Sequence, residues 1–158
     1  MRIQLLGLLL ILSLQGCSHR GSQVKPRNVS PLAQAAVKLL RDPNTTQLEV
    51  LWVPKEIETR TRLTPQRLEH TAWWKVRIKD FQRDELRDQL IQALQESDLR
   101  KGTDAGDLRW ACIFTDPKNK RVLTMYFAGR GPKGLIQGVA VTSNGRVVRV
   151  LEDRFRPK

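Results

Sequence analysis

The chain has 158 residues, 40% of them hydrophobic and 28% charged, which is the composition of a folded globular protein rather than a disordered one. Its formal net charge of +12 points to polyanions as partners. The length allows one domain and hardly two, and two cysteines with two histidines exclude a disulfide-rich scaffold.

Arg2 gives a positive start, residues 3–14 form an almost unbroken apolar run, and Leu14-Gln15-Gly16-Cys17 closes it. A run of about twelve residues is too short to span a bilayer as a helix, which takes roughly 20. A charged start, a short apolar centre and a small residue before a cut are the layout of a secretory signal. On layout alone, an ordinary cleaved signal and an uncleaved short anchor remain alternatives. Leu14-Gln15-Gly16-Cys17 further resembles the lipobox of bacterial lipoproteins, with Leu three residues before the Cys and a small residue just before it. Gln15 is a less usual middle residue, and the resemblance covers only this segment. It implies a signal peptide over 1–16, lipid on the sulfur of Cys17, and acylation of the new N-terminus with a palmitate-type chain. In lipoproteins of enteric-type bacteria an Asp after the Cys favours inner-membrane retention, so Ser18 implies the outer membrane, on its periplasmic side.

With Cys17 acylated, Cys112 is the one thiol left, and an exported chain with one thiol has no internal disulfide. Cys112 lies in Trp110-Ala111-Cys112-Ile113-Phe114 and reads as a small, inert core side chain. In the envelope the available polyanions are anionic headgroups, lipopolysaccharide, acidic wall polymers and acidic proteins; nucleic acid is not expected.

Residues 18–30 are polar, with Gly, Pro and Ser and no periodicity, and 17–30 reads as a lipidated flexible tether. Thirteen extended residues reach at most roughly 45 Å, so the folded part, 31–158, stays close to its membrane. A short helix is expected over 31–41, with Ser30 as N-cap, Pro31 at the first position and Asp42-Pro43 as the stop. Leu32, Ala36, Leu39 and Leu40 form its apolar stripe. Residues 48–53 read as a strand, 55–63 as a charged loop, and Thr64-Pro65 as the start of a helical turn reaching Leu68.

Over 73–79 the alternation is clean: Trp74, Val76 and Ile78 share one face, and Trp73, Lys75, Arg77 and Lys79 the other, outward one. The longest helix is expected over 82–97, with Leu86, Leu90, Ala93 and Leu94 as its core side and Phe81 stapling its start. Residues 98–107 read as a polar loop. Four antiparallel strands follow, over 109–115, 121–128, 135–142 and 146–152. The last two form a hairpin about Asn144-Gly145, the favoured two-residue turn, with Val139, Val141, Val148 and Val150 on its core face and Leu151 on the more solvated one.

Chemistry is sparsely signalled. His19 and His70 stand apart, no spacing suits a metal, and no cofactor motif appears. The run 129–134 (GRGPKG) lacks the Lys-Ser/Thr ending and the following helix of a phosphate loop. Asp104 and Asp107 are a carboxylate pair, but nothing makes them converge on a glycan. The outward row Trp73, Lys75, Arg77 and Lys79 is the candidate binding surface, a basic stripe ending in an aromatic; Arg130 and Lys133 are candidates to extend it.

The expectation is an α+β domain: a mostly antiparallel sheet of about six strands, one main helix on a face, and a short N-terminal helix. Its expected role is that of a non-catalytic binding or assembly module, lipid-anchored in the periplasm, with an envelope protein or an anionic lipid or glycan as partner. A lipid-anchored inhibitor or immunity-type protein against a secreted enzyme is the alternative, and a wall- or glycan-modifying enzyme is a third.

Overall fold

The computed structural model describes residues 29–129 and 131–156, so Cys17, the tether up to residue 28 and Arg130 lie outside the described residues. Seven strands form one antiparallel sheet: β1 (Gln47–Trp52), β2 (Trp74–Ile78), β3 (Arg100–Lys101), β4 (Leu108–Thr115), β5 (Arg121–Ala128), β6 (Lys133–Ile136) and β7 (Val139–Thr142). Their order is β2-β1-β4-β5-β6-β7-β3, which leaves β2 and the two-residue β3 at the edges. Among the described residues four α-helices complete the α+β fold: α1 (Pro31–Arg41), α2 (Pro65–Thr71), α3 (Glu85–Glu96) and α4 (Arg146–Phe155).

Local chemistry explains why the early elements lie where expected. Ser30 Oγ accepts the Ala33 N–H at 3.2 Å, capping α1, and Thr64 Oγ1 does the same for α2. Asp84 caps α3 rather than sitting in its first turn, because a 3-10 turn over Phe81–Arg83 takes the first part of the expected helix. The buried stripe of α1 is Ala33, Ala36, Val37 and Leu40, with Leu32 and Leu39 half-buried at its margin.

The sheet is covered unequally. Helices α1 and α4 both pack on α3, and this layer meets Leu48, Val50, Trp110, Cys112, Phe114, Leu123, Met125, Phe127, Ile136 and Val141 in the main core. The other face carries a smaller core in which Leu68 of α2 and Leu63 meet Leu51, Ala111, Ile113 and Tyr126. Within the main core Trp52 stacks on Trp110 with centroids 5.2 Å apart, and Phe81 meets Phe114 edge-on at 5.1 Å.

The C-terminal third corrects the sequence reading. There is no hairpin about Asn144-Gly145. The hairpin is β6–β7, which turns at Gln137 and Gly138 with φ of 50° and 77°, the signs of a type I′ turn. Asn144 and Gly145 instead start α4: Asn144 Oδ1 accepts the Arg146 N–H at 3.2 Å, and Gly145 sits at φ 73°. Val147, Val148 and Leu151 are buried at spacings of one and four, a helical stripe, so the 3.6-residue period overrides the alternation of valines. Of the four valines assigned to one core face, Val141 and Val148 are buried on different elements, Val150 is half-buried and Val139 is exposed. The loop 98–107 also contributes a short strand, β3, paired with β7.

One close approach fixes a glycine. Gly134 lies where β6 crosses β5 so tightly that a β-carbon would overlap the Tyr126 carbonyl oxygen.

Candidate docking edge

Among the described residues, strand β2 is paired on one side only. Its ladder with β1 runs from Leu48 opposite Ile78 to Trp52 opposite Trp74, and β1 is its one substantial neighbour among the elements. The alternation of 73–79 is present, but it does not separate core from solvent. Ile78 alone packs on the main core. Trp74 is 51% exposed and Val76 38%, although they share a face with the buried Val50, so the helical layer ends before β2. Trp73, just before the strand, is 69% exposed and donates its N–H to the Trp52 carbonyl at 3.1 Å.

The opposite face of the same strand carries charge. Arg77 Nη2 donates to Glu49 Oε1 at 3.1 Å, and Lys75 Nζ lies 3.8 Å from the same oxygen. One carboxylate therefore serves two cations, and Lys79 has no ion pair among the described residues. Beyond Glu49 lies a groove of about 300 Å³ lined by Gln47, Arg77, Thr115, Asn119 and Arg121.

Glu69 of α2 locks the neighbouring surface. It accepts the Tyr126 hydroxyl at 2.6 Å and takes both terminal nitrogens of Arg121, at 2.6 and 3.1 Å. Burial raises the Glu69 carboxyl, but these hydrogen bonds outweigh it and hold the group below its ordinary value. Burial, reinforced by Glu69, raises the Tyr126 phenol. This cluster fastens α2 to the sheet and offers no free group to a substrate.

The remaining candidates lie elsewhere. Lys133 starts β6, with β1, β4 and β5 between it and β2, and binds Asp104 at 3.0 Å; it does not extend the basic stripe. Arg62 shares Asp104 at 3.3 Å. The Gly106 N–H and then Lys133 hold the Asp104 carboxyl down at about 2. Asp107 accepts the Leu63 N–H at 2.7 Å and pairs with the buried Arg109 at 2.6 Å, and Arg109 in turn binds the carbonyls of Pro54 and Ile57. Asp104 and Asp107 are thus engaged by separate cations and hold loops in place. Burial pushes the Cys112 thiol up to about 12, which makes it a core side chain and no nucleophile at neutral pH. Among the described residues no cluster of three or more His, Cys, Asp or Glu could hold a metal ion. A hollow of about 650 Å³ lies along α1 between Gln34, Val37, Lys38, Arg41, Asp42 and Gln95.

Sequence alternation missed Trp74 and Val76 as surface residues. The available signal was the density of cations in so short a strand, which marks sheet edges. No family model, no curated protein and no solved structure matches this chain.

Proposed function

We propose that this chain is a lipid-anchored bacterial envelope protein, tethered through Cys17 at the periplasmic side of the outer membrane, that works as a non-catalytic binding or assembly module. Its docking face is the β2 edge. One observation carries this reading: of the four large exposed hydrophobic residues among the described residues, Trp73, Trp74 and Val76 fall within four consecutive positions, with Val139 the fourth. Trp74 and Val76 expose an apolar face, and Lys75 and Arg77 a cationic one on the other side of the same strand, so a partner docking at this edge meets apolar contact beside positive charge. The lipobox-like segment supports the anchoring, and the net charge of +12 supports an acidic partner.

Affinity capture from detergent-solubilised envelope tests the role, using the chain and its Trp73→Ala/Trp74→Ala variant at increasing salt. The expected result is one polypeptide retained by the parent at moderate salt and lost by the variant, whose changes fall at exposed positions. Retention of only lipopolysaccharide or wall fragments, lost as salt rises, would overturn the protein-docking role. If the retained polypeptide is a secreted enzyme whose activity falls on binding, the module acts as an inhibitor.

A further inference from the structure

The backbone of β2 faces two ways, and its open side is addressable. Val53 directs its N–H to the Arg109 carbonyl on the β4 side at 3.0 Å. The Trp52 carbonyl instead accepts from the Trp73 N–H at 3.1 Å, on the β2 side. Backbone direction alternates along an antiparallel strand, so Leu48, Val50 and Trp52 turn to β2. Their partners Ile78, Val76 and Trp74 turn back to β1. Lys75 and Arg77 are left directing N–H and C=O to the open side, where no strand of the described residues lies.

We propose that an extended, acidic segment of a partner polypeptide adds to this open side as an eighth strand. The inference rests on the docking role of the β2 edge and specifies its geometry. Strand addition draws affinity from main-chain hydrogen bonds and specificity from alternate side chains. Here the face with Trp74 and Val76 takes apolar residues of the incoming strand, and the face with Lys75 and Arg77 takes its carboxylates. Glu49 neutralises only part of that second face, since it is shared by both cations.

A second copy of this chain is excluded as the occupant by the same pattern. Antiparallel pairing of two β2 edges, with open-side groups facing each other, sets Lys75 and Arg77 directly opposite the same two residues of the other copy. Like charges directly opposite are destabilising, and each copy carries a net charge of +12. The cations therefore guard the edge against itself while leaving it open to an acidic strand.

The test uses two synthetic decapeptides, alternating Glu–Val and alternating Lys–Val, titrated against the full chain while amide exchange is followed residue by residue. The Glu–Val peptide should slow exchange at Lys75 and Arg77 at least tenfold, and the Lys–Val peptide should leave it unchanged. Arg77→Pro removes an outward N–H without touching the β1 ladder and should abolish binding, whereas Arg77→Gln keeps that N–H and should weaken binding less than tenfold. Lys75→Pro is the second proline variant if the first does not fold. Absence of protection in the parent chain, or binding that survives both proline variants, overturns strand addition. If binding survives proline but is lost in Trp73→Ala/Trp74→Ala, the docking face stands and only the strand geometry fails. Vesicles of phosphatidylethanolamine and phosphatidylglycerol that bind parent and Arg77→Pro equally, with no protection by the Glu–Val peptide, identify the edge as a lipid surface and overturn the proposal.

Discussion

Glu69 is the residue on which the smaller core depends most visibly. Its carboxylate satisfies the Tyr126 hydroxyl and both arms of Arg121, so its charged form is favoured in the folded chain. A depressed carboxyl gives stability that is complete above the unfolded value, 4.5, and is lost as pH falls through the lower folded value. Glu69→Gln keeps an acceptor for Tyr126 but removes the charge, and should cost about 1 kcal/mol at pH 7. Denaturant midpoints measured from pH 7 downward should converge for parent and variant as pH falls through the folded value, where the parent is itself neutral. A constant difference at every pH would mean that packing, not charge, fixes α2. Residue chemistry of this sort was partly legible in sequence: the Ser30 cap and the burial of Cys112 and Phe81 are local consequences of residue type. The partnership of Glu69 with residues 52 and 57 positions later was not, since no local pattern carries it.

Among the elements, α4 separates what periodicity can and cannot decide. The stretch 146–152 reads as a strand when Asn144-Gly145 is taken for a type I′ turn, and as a helix when Val147, Val148, Leu151 and Phe155 are taken together. The longer pattern won because α3 supplies a surface for that stripe, and Asn144 and Gly145 serve as a helix start instead. The two assignments predict different energetics for Leu151, which a hairpin would leave on its solvated face. In α4 it is fully buried, so Leu151→Ala should cost about 2–5 kcal/mol. A loss below about 0.5 kcal/mol by chemical denaturation, typical of a surface change, would contradict the helix. Strand β2 shows the converse. Its alternation is present over Trp74–Ile78, but alternation names two faces and not what covers them. Edge position follows from the order β2-β1-β4, which depends on pairing between distant segments.

Across the whole molecule the pieces serve one arrangement. Helices α1, α3 and α4 cover most of one sheet face and α2 part of the other, while β3 closes one edge with only two residues. Among the described residues the opposite edge is left as an open strand bearing Trp74, Lys75 and Arg77, flanked by Trp73 and Lys79. Under the proposed anchoring at Cys17, the thirteen residues 18–30 reach at most roughly 45 Å, which sets how far that edge can stand from the membrane. The α+β class, the antiparallel sheet and the N-terminal helix were legible because they follow from local periods and caps. The apolar half of the docking edge was not, because exposure of Trp74 and Val76 is set by where the helical layer stops.

The most direct measurement places a photo-reactive residue at Val76 or, as the control, at Val139, in the full-length chain expressed in a bacterium that processes lipoproteins. Illumination of intact cells should give one discrete polypeptide adduct from position 76 and none from position 139. Identical adducts from both positions, or adducts to lipid alone at 76, would contradict the β2 edge as a protein-docking face.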